Sequence, residues 1–269
     1  MSETALDREV AALLRRVSET AILPRYQQLA ASEINAKAVD DMVTVADTEA
    51  EAMLTEALAR LLPEAAIVGE EASHANPAVM DRLGDGLCWI IDPLDGTNNF
   101  AAGKPPFGVL LALAQDGECV SGWIYDVLTG RLCSAHRGQG AFVDGERVHA
   151  RTTGQEPPVA AISLVFMDPE HRARVKAHIT PHYNVVDIPR CAAEQYPRLV
   201  LGVNDLSIFE RTLAWDHAPG VLFVNEAGGK AARPDGSPYR VDRHLEPGLI
   251  GAASPALFDM LAEQLARLD

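Results

Sequence analysis

Twelve consecutive residues constrain the fold of this chain more than any others: Trp89-Ile90-Ile91-Asp92-Pro93-Leu94-Asp95-Gly96-Thr97-Asn98-Asn99-Phe100. The apolar run Leu87 to Ile91 reads as a strand buried within a sheet, and it leads into two carboxylates three residues apart. Strand ends are where open α/β sheets place their ligands. Pro93 fixes one φ angle and Gly96 permits close backbone approach, so the segment is shaped to hold Asp92 and Asp95 towards one point. Amides at Gly96 and Thr97 face an anion if they open a helix. Taken alone, D-x-x-D-G also fits a strand, an Asp-Gly turn and an Asp helix cap. Two like charges this close are costly unless protonated or bridged by a cation. A hard, oxygen-seeking ion such as Mg²⁺ meets that need.

The flanking sequence supplies the layers around that strand. Val10, Leu13, Leu14, Val17, Ala21 and Ile22 recur at helical spacing and predict a first helix from Asp7 towards Pro24. Met53, Leu54, Ala57, Leu58 and Leu61 mark a second, with Thr44 and Asp47 spaced as a capping box at its start. From Ala66 the pattern changes to short apolar runs closed by turns: 66–68, 87–91, 109–114 and 119–125. Asp116-Gly117 and Asp144-Gly145 are hairpin signals, so part of the sheet is expected to be antiparallel. The Thr-, Gly- and Pro-rich segment Ala150 to Pro158 is the best internal boundary. It divides an N-terminal half, 1–150, from a C-terminal half, 151–269. Beyond it a strand over 160–165 and a polar helix over Pro169 to His178 open a second alternation of strands and helices.

Charge and composition exclude several functions. The formal net charge of −15 disfavours nucleic acid, whose partners need basic patches to replace phosphate counterions. An anionic small molecule can still bind if cations intervene. No stretch reaches the roughly 20 apolar residues of a membrane span, and the first residues do not read as a secretion signal, so a cytoplasmic protein is expected. Cys88, Cys119, Cys133 and Cys191 are scattered and read as buried reduced thiols. None of the eight histidines forms a zinc-ligand pair, and no Ser or Cys sits in a nucleophile elbow.

Trp89 to Phe100 closely resembles the first motif of the inositol monophosphatases and their relatives, the fructose-1,6-bisphosphatases and bisphosphate nucleotidases. Asp41-Met42-Val43-Thr44-Val45-Ala46-Asp47 resembles that family's D-x-V-T-x-x-D, and Gly69-Glu70-Glu71 its G-E-E. Trp215-Asp216-His217-Ala218 resembles its W-D-x-A and is followed by Ala227-Gly228-Gly229. Singly, these acids read as helix caps and an exposed turn. In this order they form a specific pattern over residues 37 to 229.

The resemblance implies an α/β (α+β) fold, a layered α-β-α-β-α sandwich, and a homodimer. It implies hydrolysis of a small phosphorylated metabolite by metal-activated water with two to three Mg²⁺ ions. Glu70, Asp92 and the Leu94 carbonyl are then expected at the first metal, Asp92, Asp95 and Asp216 at the second, and a weaker third ion near Glu70. Asp47 and Thr97 polarise the water, with Glu70 beside them, while Gly96, Thr97 and Asp95 contact phosphate. Lys37 matches a family lysine near this site. The order of motifs also implies inhibition by Li⁺ and Ca²⁺.

Departures concentrate on the substrate side. Where the inositol enzymes carry G-S/T-A-A-L, this chain has Arg190-Cys191-Ala192-Ala193-Glu194, and Phe209 stands where they carry a Glu. Arg190, Ala192, Phe209 and Asp216 are therefore the expected substrate contacts, with Glu210 as an alternative acid and His217 beside the site. An arginine fork suits a second phosphate or a carboxylate, and Phe209 a base or sugar face, so inositol 1-phosphate is expected to be a poor substrate if Arg190 points into the pocket. If Arg190 faces solvent and Glu210 swings in to replace the missing acid, a broad phosphatase is expected. Fructose bisphosphate, a 3′,5′-bisphosphonucleotide and histidinol phosphate are the competing substrates. A catalytically dead relative that binds metal and phosphate is the alternative from another class. Pro219 is expected in the first turn of a helix.

Overall fold

A computed structural model describes residues 5–38 and 41–268 of the chain. Helix α1 (Ala5–Val17) gives way to a π turn (Ser18–Ile22) and a 3₁₀ turn (Leu23–Arg25). The expected helix to Pro24 thus ends early as an α-helix, and Pro24 has no amide with which to extend the ladder. An antiparallel pair, β1 (Ile34–Ala38) and β2 (Asp41–Thr44), leads into α2 (Val45–Leu61). Thr44 and Asp47 form the capping box that their spacing predicts.

Next come β3 (Ala66–Gly69), α3 (Glu70–Ala75), β4 (Leu87–Asp95), α4 (Thr97–Ala101), β5 (Gly108–Gln115), β6 (Glu118–Asp126), β7 (Leu132–His136), β8 (Gly140–Val143) and β9 (Glu146–Val148). Strands β3 to β9 form one sheet in sequence order. Only β3 and β4 run parallel in it. Asp116-Gly117 and Asp144-Gly145 connect β5 to β6 and β8 to β9, all four with positive φ. That pair of left-handed residues is the signature of a type I′ hairpin.

The chain continues through β10 (Val159–Ile162), α5 (Pro169–His178), β11 (Asn184–Val186), α6 (Ala192–Val200), β12 (Leu206–Phe209), α7 (Ala214–Glu226), β13 (Lys230–Ala232), β14 (Leu249–Ala252) and α8 (Pro255–Leu265). Strand β10 is shorter than its expected span. These strands form a second sheet in the order β11-β10-β12-β14-β13, in which β10 is parallel to both neighbours.

Three buried clusters define five layers. Apolar faces of α1 and α2 meet Trp89, Leu111 and Trp123 on one side of the seven-stranded sheet. Its other side, through Ile90, Leu110 and Ile124, packs on α6 and α7, which also touch β12 and β14 of the second sheet. Val175 of α5 and Phe258 and Leu261 of α8 cover the far side of the second sheet. The architecture is the α-β-α-β-α sandwich.

Pro219 lies deeper in its helix than expected, because α7 begins at Ala214 and places this proline in the second turn. The missing amide costs one ladder bond to Trp215. Packing uses the ring: a Cβ on Gly122 of β6 would stand 2.8 Å from Pro219 Cα, so only glycine lets the helix lie this close to the sheet. Cys88, Cys133 and Cys191 are buried free thiols, but Cys119 is only half-buried, at the edge of its cluster.

Candidate active site

Geometry at the end of β4 explains how two acids three residues apart share one direction. Residues i and i+3 of a regular strand point to opposite faces. Here Asp92 pairs with Leu110 and Asp95 with Gly108, so three steps on β4 face two on β5. The extra residue makes a β-bulge between Asp92 and Asp95, a stretch in which Pro93 has no amide to lose from the ladder. The backbone then turns at Gly96 (φ 84°), where a Cβ would stand 2.9 Å from the Pro106 carbonyl, and α4 starts at Thr97.

Asp216, in the first turn of α7, completes the group. One oxygen from each of Asp92, Asp95 and Asp216 lies within 4.8 Å of the others. Burial, and then the charges of Glu70, Asp95 and Asp216, push the Asp92 carboxyl well above the usual range. Burial also raises Asp95, against opposing hydrogen bonds from the C-terminal half. Asp216 is pushed up to about 8, chiefly by burial and also by the charges of Glu70 and Asp95, with the Arg211 guanidinium opposing. Carboxylates this close repel one another unless one holds a proton or a cation lies between them. A hard cation held by Asp92, Asp95 and Asp216 would relieve that repulsion, and an all-oxygen donor set suits it.

Glu70 opens α3 and lines the same cavity as these three acids, but it stands outside their close cluster. Glu51 of α2 fixes its position: the two Glu51 oxygens accept the amides of Glu71 and Ala72, each at 2.8 Å. A Cβ on Gly69 would fall 2.4 Å from the Glu51 carboxyl carbon, so glycine is required there. Sequence reasoning missed Glu51, although its spacing four residues after Asp47 puts both acids on one face of α2.

Asp47 is fully buried. Its Oδ2 accepts the Thr44 amide at 2.8 Å and the Thr44 hydroxyl at 2.6 Å, and its Oδ1 lies 2.9 Å from Thr97 Oγ1. Burial raises its pKa to about 6 against these hydrogen bonds. Thr97 Oγ1 also lies 2.8 Å from the Leu94 carbonyl. The hydroxyl has one proton for two acceptors, and when Asp47 takes it, the oxygen lone pairs can accept from a water.

A cavity of about 170 Å³ opens above this floor, and Gly96, Thr97, Arg190, Ala192, Phe209, Glu210, Arg211 and His217 line it with the acids. Asp95 spans the two sheets' territory. Its Oδ2 accepts the Ala193 amide at 2.6 Å and the Cys191 thiol at 3.0 Å, both at the head of α6. Arg190 is exposed, with φ 53°. That left-handed backbone is one that glycine adopts without strain and that an arginine adopts at a cost.

Phe209 is 7% exposed, stacked on Tyr196 at 5.1 Å and edge-on to His217 at 4.9 Å, so its ring is committed to the core as much as to the cavity. Glu210 is half-buried in the cavity wall, and burial raises its carboxyl. His217 is neither exposed nor charged: burial lowers its pKa to about 3. Its Nε2 donates to the Arg211 carbonyl at 2.9 Å, which leaves Nδ1 to accept the Tyr196 hydroxyl at 2.7 Å. The side chain of Lys37 lies outside the described residues.

Clustered oxygen donors that repel one another until a cation arrives, set beside a carboxylate able to take a proton, serve the hydrolysis of a phosphoric monoester, and that is the class of enzyme this fold and site define. A family model described as the inositol monophosphatase family matches residues 5–269, and the chain belongs to that family. It is 32% identical to an inositol-1-monophosphatase of Caulobacter vibrioides over 239 residues, covering 87% of this chain and 90% of that one. It is 30% identical over 243 residues to the chloroplastic phosphatase IMPL1 of Arabidopsis thaliana, covering 83% of this chain and 64% of the plant protein's length. The crystal structure of the extragenic suppressor protein SuhB from Bartonella henselae shares the fold, with a TM-score of 0.81 at 23% identity over 97% of this chain and 98% of that one. Among the described residues no helix is long and apolar enough to cross a membrane.

Proposed function

We propose that this chain hydrolyses a small phosphate monoester with two to three Mg²⁺ ions held by Glu70, Asp92, the Leu94 carbonyl, Asp95 and Asp216. The single observation that carries this reading is the approach of the Asp92, Asp95 and Asp216 oxygens to within 4.8 Å, beside the 2.9 Å contact between Asp47 and Thr97. When bound, the cations neutralise the phosphate and activate the attacking water. Thr97 accepts a hydrogen bond from that water and relays its proton to Asp47, which the two Thr44 donors hold in place. Gly96 and Thr97 contact the phosphate oxygens, and Ala192 borders the substrate.

Residues 1–150 and 151–269 act as two halves that meet at this site. The resemblance to lithium-sensitive relatives supports inhibition by Li⁺, a homodimer and a cytoplasmic location. Release of inorganic phosphate from inositol 1-phosphate and β-glycerophosphate, with and without Mg²⁺, tests the reading. Mg²⁺-dependent release supports it. Release that survives chelation, or none from either ester with Mg²⁺ present, refutes it.

A further inference from the structure

The loop joining β12 to α7 is held by a concentration of buried polar bonds. Arg233 is 5% exposed, and every hydrogen-bond acceptor it meets is uncharged. It donates to Thr212 Oγ1 at 3.1 Å and to the carbonyls of Glu246, Gly248 and Arg243 at 2.7, 2.9 and 2.8 Å. Tyr239, whose ring centre lies 5.1 Å from that guanidinium, donates its hydroxyl to the Thr212 carbonyl at 3.0 Å. The Glu210 carbonyl accepts the Gly248 amide at 3.0 Å, and the Arg211 carbonyl accepts His217 Nε2 at 2.9 Å. Carbonyls of three successive residues, 210 to 212, are thus each tied down. Burying a cation without a carboxylate to pair it is expensive, and here the expense fixes one exposed residue, Arg211.

The Arg211 side chain reaches back to the cavity. Its guanidinium lies over the Phe166 ring at 4.3 Å, and one terminal nitrogen stands 3.8 Å from Asp216 Oδ2. Phe166 is 47% exposed and lines the same cavity from the β10–α5 loop. Both residues line the cavity that opens above the carboxylate floor, so they stand beside the alcohol half of a molecule whose phosphate sits on that floor. Stacking on an aromatic face orients a guanidinium, and the planar fork of an arginine matches a carboxylate or phosphate with two-pronged geometry. Arg211 puts a positive charge on the cavity wall away from the floor, where a second negative group on the substrate would meet it.

We propose that Arg211, oriented by Phe166, is a specificity-determining residue that binds a second anionic group, a carboxylate or a phosphate, on the alcohol half of the substrate. The proposal rests on the phosphomonoesterase reading. It assigns to Arg211 the discrimination that the sequence assigns to Arg190.

The test compares kcat/KM for β-glycerophosphate, which carries no second charge, with 3-phosphoglycerate and fructose 1,6-bisphosphate, which carry a carboxylate and a phosphate. Wild type is expected to favour at least one doubly charged ester, and the better of the two identifies the group that is read. Arg211→Met should lower that preference at least tenfold, through KM, and Arg211→Lys, which keeps the charge without the fork, should fall between. Phe166→Leu should lower it about threefold. A preference unchanged in Arg211→Met, or wild-type preference for β-glycerophosphate, overturns the proposal. If no ester is hydrolysed, the phosphomonoesterase reading fails, and calorimetric binding of 3-phosphoglycerate against β-glycerophosphate to both proteins then decides the role of Arg211 without turnover.

Discussion

Removing the metal should turn the active site into a pH-dependent weakness of the fold. Asp47 stands at about 6 in the folded protein, against 3.8 for an ordinary aspartate. Its folded value is the higher one, so between these limits the unfolded chain binds fewer protons, and stability falls as pH rises. For this residue alone the loss between pH 5 and pH 8 is about 1.5 kcal/mol, from a full penalty of about 3 kcal/mol. Asp92, Asp95 and Asp216 are displaced in the same direction, so Asp47 sets a lower bound. For a chain of this size about 1.5 kcal/mol moves the midpoint by roughly 3–6 °C. Calorimetric melting of chelator-treated protein across this range should show Tm falling by at least that much, and saturating Mg²⁺ should restore most of it by linkage. Asp47→Asn should flatten the metal-free slope by about the same amount. A metal-free Tm that is level or rises from pH 5 to pH 8 would refute the reasoning, as would indifference to Mg²⁺.

Asp92→Asn should abolish phosphate release and weaken Mg²⁺ binding in calorimetry, yet raise the metal-free Tm, because it deletes the acid that repels all its neighbours. A fall in metal-free Tm would contradict the electrostatic account. Thr97→Val should lower kcat by about a hundredfold while Mg²⁺ affinity stays within threefold of wild type. An equal loss of both would make Thr97 a metal contact. Gly69→Ala should destabilise by about 2 kcal/mol and reduce activity, because its Cβ displaces the Glu51 carboxylate that holds the head of α3. A normal Tm in that variant would remove Glu51 from the structural role given to it.

Features legible in the sequence are those whose chemistry is local. The Thr44–Asp47 capping box, the two Asp-Gly hairpins and the turn at Gly96 each depend on residues within a few positions, and the structure forms them as read. Asp216 could be joined to Asp92 and Asp95 only through the resemblance, because 120 or more residues separate them in the chain. Bonds to Asp95 Oδ2 left little trace in the sequence, since one donor is the Ala193 main chain and the other a thiol. His217 was ambiguous because its burial depends on Tyr196 and Phe209, on the two preceding elements, α6 and β12. Arg233 was invisible for a similar reason: its acceptors are mostly carbonyls, whatever side chains those residues carry.

The contact between Asp95 and Ala193 has a consequence for how such a protein can diverge. Helix α6, whose head borders the cavity, is joined to the carboxylate floor through a main-chain amide, which every amino acid except proline supplies. Mutation can rewrite side chains at 190, 191 and 194 without cutting that tether, provided the residue at 190 tolerates a left-handed backbone. Side chains along this segment of the cavity wall can therefore change while the carboxylate it steadies stays in register. The composition of the wall is uncoupled from the placement of the floor. Proline at 193 is the substitution that this lineage cannot explore, because it alone removes the hydrogen on which the tether depends.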